Sequence, residues 1–225
     1  MHDLKELALK PVLALLDHNE VHHSERFDFY STITEGQARE KYVHDVLWGD
    51  AKRYTNPTEF IECNAYFWVA PTREVLTKSN PAMRLHDVSF IAAQPTSAAL
   101  TPFISSFSEI SKEDWSIPEI KSCINSIIEQ ASSHSFAELA QEYTRWTQED
   151  TEAAKKQWHK TWHKLVHQYL RWALVAAMPG PDGAETMRIL GRDETLARLE
   201  TAKELMLTQA ELNGKLRSKE ERRNL

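Results

Sequence analysis

Helix-breaking residues are rationed along this chain, and their concentration in one place limits what it can fold into. The chain has six glycines and nine prolines in 225 residues. The single stretch Met178 to Gly191, MPGPDGAETMRILG, holds three of those glycines and two of those prolines. On both sides of it, apolar residues recur at helical spacing, and no run alternates in the manner of a strand. The expected fold is therefore all-α, a helical bundle or cage in which one long helix ends near Met178 and another starts near Asp182.

The same pattern divides the rest of the chain. Apolar positions from Leu4 to Leu16 fit a helix that Pro11 kinks or divides, and Asn19–Ser31 reads as a loop. A second helix is expected from Gly36 to Trp48. Asn56 then resembles an N-cap with Pro57 at the first helical position, and Phe60, Ala65, Phe67 and Trp68 continue that helix toward Pro71. Residues 72–98 read as helical pieces joined by turns, with a short helix at Ala98–Ile110. Ser116, ahead of Pro118 and Glu119, opens a helix whose buried stripe is Ile120, Cys123, Ile124 and Ile127. The region Phe136–Ala177 reads as two helices with a break near Gln148–Thr151. Asp193 is the expected cap of a last helix running to about Asn213, where Gly214 weakens it. The domain expectation is a first helical subdomain at 1–112 and a second at 113–213, then a charged tail at 214–225.

Composition excludes several classes. An apolar fraction of 41% with 27% charged residues suits a soluble globular chain. No apolar run approaches the roughly 18–20 residues that span a bilayer, so no membrane partner is expected. The first residues mix both charge signs, unlike a secretory signal, and are not the Arg-rich, acid-poor pattern of a transit peptide. Cys63 and Cys123 stand far apart and suit a reducing compartment, each as a small packed residue. A net charge of −6 argues against a generally basic coat. It leaves room for a local one: between Ala153 and Pro181 there is no acid, while Lys155, Lys156, Lys160, Lys164 and Arg171 are present.

Motifs for catalysis are missing. There is no GxxxxGK[ST] loop, GxGxxG turn, GxSxG elbow or CxxC pair. The paired carboxylates Glu149 and Asp150 lie in a hydrophilic run and read as a solvated face. Trp158-His159, Trp162-His163 and His167 place three histidines at i, i+4 and i+8 on one helical stripe. Such spacing is the weak candidate for a metal site, although no glutamate intervenes and lysines flank it. On these grounds alone the chain is a helical binding module.

Two segments carry the reading further. The first is Arg53-Tyr-Thr-Asn-Pro-Thr-Glu-Phe-Ile-Glu-Cys-Asn-Ala-Tyr-Phe-Trp68. The second is Tyr169-Leu-Arg-Trp-Ala-Leu174, followed by the Pro/Gly stretch, Ile189-Leu-Gly191 and Leu196-Ala-Arg-Leu199. With Asp114-Trp115 between them, they resemble the C-terminal, anticodon-binding half of glutamyl-tRNA synthetase, most like fungal mitochondrial members. The likeness covers roughly residues 1–130 and 165–205, and 131–164 is expected as a helical insertion.

The resemblance implies a helical cage that binds tRNA, with the anticodon loop of a glutamate tRNA as the expected partner. Within it, Arg53 matches the arginine that inspects the third anticodon letter, and Arg171 the one that faces the anticodon from the preceding helix. Gly180 and Pro181, with Gly183 and Ala184, correspond to the loop and helix start on which anticodon bases pack. Lys160 and Lys164, in the insertion that the likeness does not cover, are expected from their charge alone to meet phosphates. Tyr66, Phe67, Trp68 and Trp115 are expected in the core.

The family's HIGH and KMSKS signatures are absent, and His86-Asp-Val-Ser and Thr77-Lys-Ser-Asn do not replace them. Alone, the chain is expected to hold no cofactor and to activate no glutamate. ATP and magnesium are implied for a catalytic region in a missing N-terminal half or on another chain. The location implied is mitochondrial, with cytoplasmic as the alternative. The rival expectation is a helical protein-interaction module without RNA binding, with a metal on His159, His163 and His167.

Overall fold

A computed structural model describes residues 5–22, 28–33, 36–80, 97–142 and 147–223. All regular structure among them is helical, so the fold is all-α. Residues 23–27 of the expected first loop, the expected turns at 81–96, His86-Asp-Val-Ser and Trp146 lie outside the described residues.

A π-helical turn, Lys5–Leu9, leads into α1 (Lys10–His22). Pro11 explains that turn. It has no N–H to give and crowds the carbonyl four residues earlier, which is that of Leu7. The Tyr54 hydroxyl donates to this carbonyl at 3.2 Å. Helix α1 runs past Asn19, and α2 (Asp28–Ser31) ends the segment expected as a loop. Next come α3 (Gly36–Gly49), a 3-10 turn at Ala51–Arg53 and α4 (Pro57–Cys63). Asn56 caps α4 by accepting from the Glu59 N–H at 2.9 Å. The expected continuation to Pro71 does not occur. Asn64 stops α4, and a 3-10 turn (Ala65–Phe67) swings Phe67 and Trp68 into the core.

Short helix α5 (Arg73–Ser79) follows, and the segment Ser97–Glu109 is two 3-10 turns around α6 (Thr101–Ile104). Helix α7 (Ile117–Glu142) is one continuous helix through Phe136. The next helix, α8 (Gln148–Val175), therefore starts where a break was expected. Its start is fixed by a capping box, in which Thr147 and Asp150 each satisfy the other's backbone N–H. Asp150 is thus a cap partner rather than only a solvated charge, and these bonds hold its carboxyl below the usual range. Last come α9 (Gly183–Leu190) and α10 (Arg192–Arg223). Gly191, at φ 78°, separates them, and its carbonyl accepts from the Thr195 N–H. Asp193 therefore sits inside the first turn of α10 instead of capping it. Helix α10 also runs through Gly214 without ending.

Helices α7 and α8 pack as an antiparallel hairpin, and α8 is the spine against which α9, α10 and α5 lie. Its buried face carries Trp158, Trp162, Leu165, Val166, Tyr169, Leu170, Trp172 and Leu174. Each large aromatic ring removed from water contributes roughly 4–5 kcal/mol by area. The indole N–H groups also find partners. Trp172 donates to the Leu76 carbonyl at 2.8 Å, and Trp158 and Trp162 both donate to the Ser135 hydroxyl, each at 2.8 Å. Ser135 in turn donates to the Ala131 carbonyl at 2.6 Å. Both tryptophans are buried, so removing this acceptor strands two donors. Ser135→Ala is expected to lower unfolding stability by about 2–4 kcal/mol, measured by urea denaturation. Ser135→Thr, which keeps the hydroxyl, is expected to lose less.

Candidate nucleic-acid interface

The Pro/Gly stretch begins where α8 ends, and the helix terminator is not a glycine. Ala176 and Ala177 both take left-handed backbone, at φ 51° and 65°, a conformation that costs an L-residue roughly 1–2 kcal/mol. Their N–H groups close the helix on the Trp172 and Arg171 carbonyls. Pro179 and Pro181 cannot extend the helix, so the chain turns out at Met178 and re-enters at α9. There Asp182 caps the new helix by accepting from the Glu185 N–H at 2.8 Å.

Two guanidinium groups hold this loop. Arg171 donates through Nη1 to the Met178 carbonyl at 3.1 Å and through Nη2 to the Pro181 carbonyl at 2.6 Å. Arg53, which is 126 residues from Pro179 in sequence, donates to its carbonyl at 2.7 Å. Asp50 orients Arg53 at 3.3 Å and also accepts from the Asn64 amide at 3.2 Å. Burial first, and then the positive Arg53, lower the Arg171 pKa from its ordinary value, while Asp182 and Asp50 oppose them. The two cations are near enough to repel, and acids and carbonyls around them offset the repulsion.

Sequence reasoning missed several parts of this corner. Gly49 lets α3 reach the loop: a Cβ there would meet Ile189 Cδ1 at 3.0 Å and Pro181 Cγ at 3.2 Å. Asn64, only 3% exposed, donates to the same Asp50 carboxylate that pairs with Arg53, and its carbonyl oxygen is unpartnered among the described residues. It lines a crevice with Cys63, Tyr66, Met178 and Pro181. Arg188 bridges Asp45 of α3 at 3.0 Å and Glu185 at 2.7 Å, fastening α9 to α3. A glycine at a helix end, and a polar residue within an aromatic run, were the signals available for Gly49 and Asn64.

The expected site residues fall into two groups. Arg53, Arg171, Gly180 and Pro181 converge at the loop, with Gly180 3.9 Å from Arg171 Nη1 when a Cβ is placed on it. Gly183 is half-buried at the start of α9, whereas Ala184 is buried beneath it. Lys160 and Lys164 are exposed on α8 and form no ion pair with the described residues. At i and i+4, with Arg171 at i+11, they share one stripe that leads toward the loop over roughly 16 Å. Phe67 and Trp68 are core, while Tyr66 and Trp115 are half-buried against it.

The three histidines do not converge on one point. Along a straight helix, His159 and His167 are separated by roughly 12 Å, so one ion cannot reach both ends of the row. His159 Nε2 instead faces Glu129 at 3.4 Å, and the His163 and His167 rings lie 4.5 Å apart. No group of three His, Cys, Asp or Glu among the described residues is placed to hold a metal ion. No helix among them is long and apolar enough to cross a membrane.

Arg171, the Pro/Gly loop and α9 lie within one stretch that matches a known family, whereas Arg53, Asp50, Gly49 and Asn64 do not. Residues 130–203 match an anticodon binding domain. Domains of that family belong to aminoacyl-tRNA synthetases, and the partner they imply is tRNA. The matched domain takes in the end of α7, all of α8, the loop, α9 and the first turns of α10. It thus contains Lys160, Lys164, Arg171, Gly180 and Pro181, and it runs through 131–164; Arg53 lies outside it. No curated protein and no solved structure matches the chain.

His167 is expected to give this domain a pH response. Burial, with added repulsion from His163 and Arg171, presses its ionisation below the ordinary value, against a pull from Asp182. A group depressed on folding stabilises the protein above its unfolded value, about 6.5. That contribution is lost as pH falls from there toward the folded value. Urea midpoints are expected to drop between pH 7.5 and 5.5, and His167→Gln to flatten that slope.

Proposed function

We propose that this chain is the anticodon-binding region of a glutamyl-tRNA synthetase of mitochondrial type, and that the corner made by Arg53, Arg171 and the Met178–Pro181 loop holds the anticodon loop of a glutamate tRNA. The observation that carries the proposal is the meeting of two distant segments. Arg53 belongs to the first resembling stretch, and Arg171 with Pro181 to the second. Arg53 reaches across 126 residues to the loop that Arg171 clasps.

The roles divide by which donors are free. Both terminal nitrogens of Arg171 are taken by loop carbonyls, so it shapes the loop and supplies charge. Arg53 makes its bonds through Nη1 alone among the described residues. Its Nε and Nη2 remain for the acceptor edge of a cytosine at the third anticodon position, where a guanine would bring a donor and more bulk. Gly180, whose N–H has no described acceptor, adds a backbone donor. Lys160 and Lys164 neutralise phosphates along α8, which fixes the position of the RNA while the loop reads bases. Glutamate activation with ATP and magnesium belongs to a catalytic region outside this chain.

Gel-shift titration tests the reading. Wild type is expected to favour a glutamate tRNA over the same tRNA with its third anticodon letter changed by roughly tenfold or more, and Arg53→Ala to erase that ratio. The ratio of the two affinities is unaffected by any loss of folded protein. Equal affinity for the two tRNAs in both proteins would overturn the proposal. Lys160→Ala with Lys164→Ala is expected to weaken both tRNAs alike and to reduce the salt slope of binding by about 1–2.

A further inference from the structure

Trp48 stands apart from the other described tryptophans. Trp68, Trp158, Trp162 and Trp172 are buried, and Trp115 is half-buried with its N–H donating to the Met187 carbonyl. Trp48 is 63% exposed in the last turn of α3. Its indole lies within 12° of parallel to the His44 ring, with 6.2 Å between centroids. Such offset stacking on the preceding turn restrains the ring and leaves its other face to solvent. A large exposed ring costs solubility, and a restrained one loses little further freedom on meeting a partner.

Its position says which partner. The next residue, Gly49, packs against Pro181 of the loop. Lys52, exposed, and Arg53 follow four and five residues after Trp48. Other exposed apolar side chains are attached to the same corner. Met178 opens the loop and gives its carbonyl to Arg171, and Leu7 gives its carbonyl to Tyr54, the neighbour of Arg53. The acids nearest in sequence are already engaged, Asp50 by Arg53 and the Asn64 amide and Asp45 by Lys41 and Arg188. Aromatic and apolar surface set among cations, with the local acid neutralised, fits an unpaired base with its phosphate: the base stacks and the cations meet the charge.

We propose that Trp48 is a stacking platform for an unpaired base of the RNA held at the Arg53 corner. The proposal rests on reading the chain as an anticodon-binding region. In the bound state His44 lies behind the indole and the base in front of it, in a three-layer stack anchored to α3.

The test uses the whole chain and a glutamate-tRNA anticodon stem-loop carrying 2-aminopurine at one loop position at a time. Wild type is expected to quench the fluorescence strongly at one position. Trp48→Ala is expected to abolish that quenching and to weaken binding about tenfold, while Trp48→Phe keeps most of both. The side chain is exposed, so the thermal midpoint of both variants should stay near wild type. Unchanged quenching and affinity in Trp48→Ala, with Arg53-dependent discrimination intact, overturns the stacking role and leaves the anticodon reading standing. That same result fits a tryptophan reserved for another protein surface. Failure of the wild-type chain to bind the stem-loop at all overturns both.

Discussion

The arrangement depends on one buried cation. Arg198, 4% exposed, projects from α10 into the junction of the two sequence halves. Its Nη1 donates to the Tyr66 and Leu174 carbonyls, both at 2.6 Å, and its Nε to Glu194 at 2.6 Å. The guanidinium also lies 5.6 Å from the centre of the Phe29 ring. Burying such a group costs several kcal/mol of hydration, which only well-aligned partners offset. With the partners aligned, the end of α8 is fixed against the 3-10 turn at Ala65–Phe67. The chain leaving Val175 must then emerge beside Asn64 and Tyr66, which puts the Met178–Pro181 loop within reach of Arg53.

From that junction outward, the corner is an arrangement of strained backbone held by charge. Consecutive left-handed alanines turn the chain sharply, and prolines remove the N–H groups that might have drawn it back into helix. The exposed carbonyls that result are met by Arg171 and Arg53. Those cations repel one another, and Asp50, Asp182 and the carbonyls offset the repulsion. A loop so braced has a defined shape before any ligand arrives, which lowers the ordering cost of recognition. The lysine stripe of α8 continues the positive surface away from it, in a protein whose net charge is −6. Attraction for a polyanion is thereby local.

Local chemistry was legible where one short segment decides the outcome. Asn56-Pro57, Ser116 ahead of Pro118, and the helical spacing of apolar residues on both sides of the Pro/Gly stretch all placed helices correctly, because caps and periodicity are properties of a few neighbouring residues. Reading failed where a neighbour intervened. The helix after Asn56 stops at Cys63 because Asn64 turns its amide to Asp50 and the Phe60 carbonyl. The break ahead of α8 was placed too late because a threonine–aspartate capping box looks, in sequence, like ordinary polar residues. Arg171 could be named but its partners could not, since carbonyls carry no mark in a sequence. Trp48 gave no sign of its setting, since its exposure depends on which distant segments pack around α3.

The sequence by itself determined that the chain is helical, that α8 must end before Pro179, and that α8 carries a one-sided run of lysines. Each follows from backbone restriction, periodicity or charge within a few residues. Only the tertiary structure decided that Arg53 and Arg171 share one loop, that the three histidines do not converge, and that Trp48 faces solvent beside it. These are distances between segments far apart in the chain. They are set by how buried groups such as Arg198 and Trp172 find partners across the core, which no local pattern encodes.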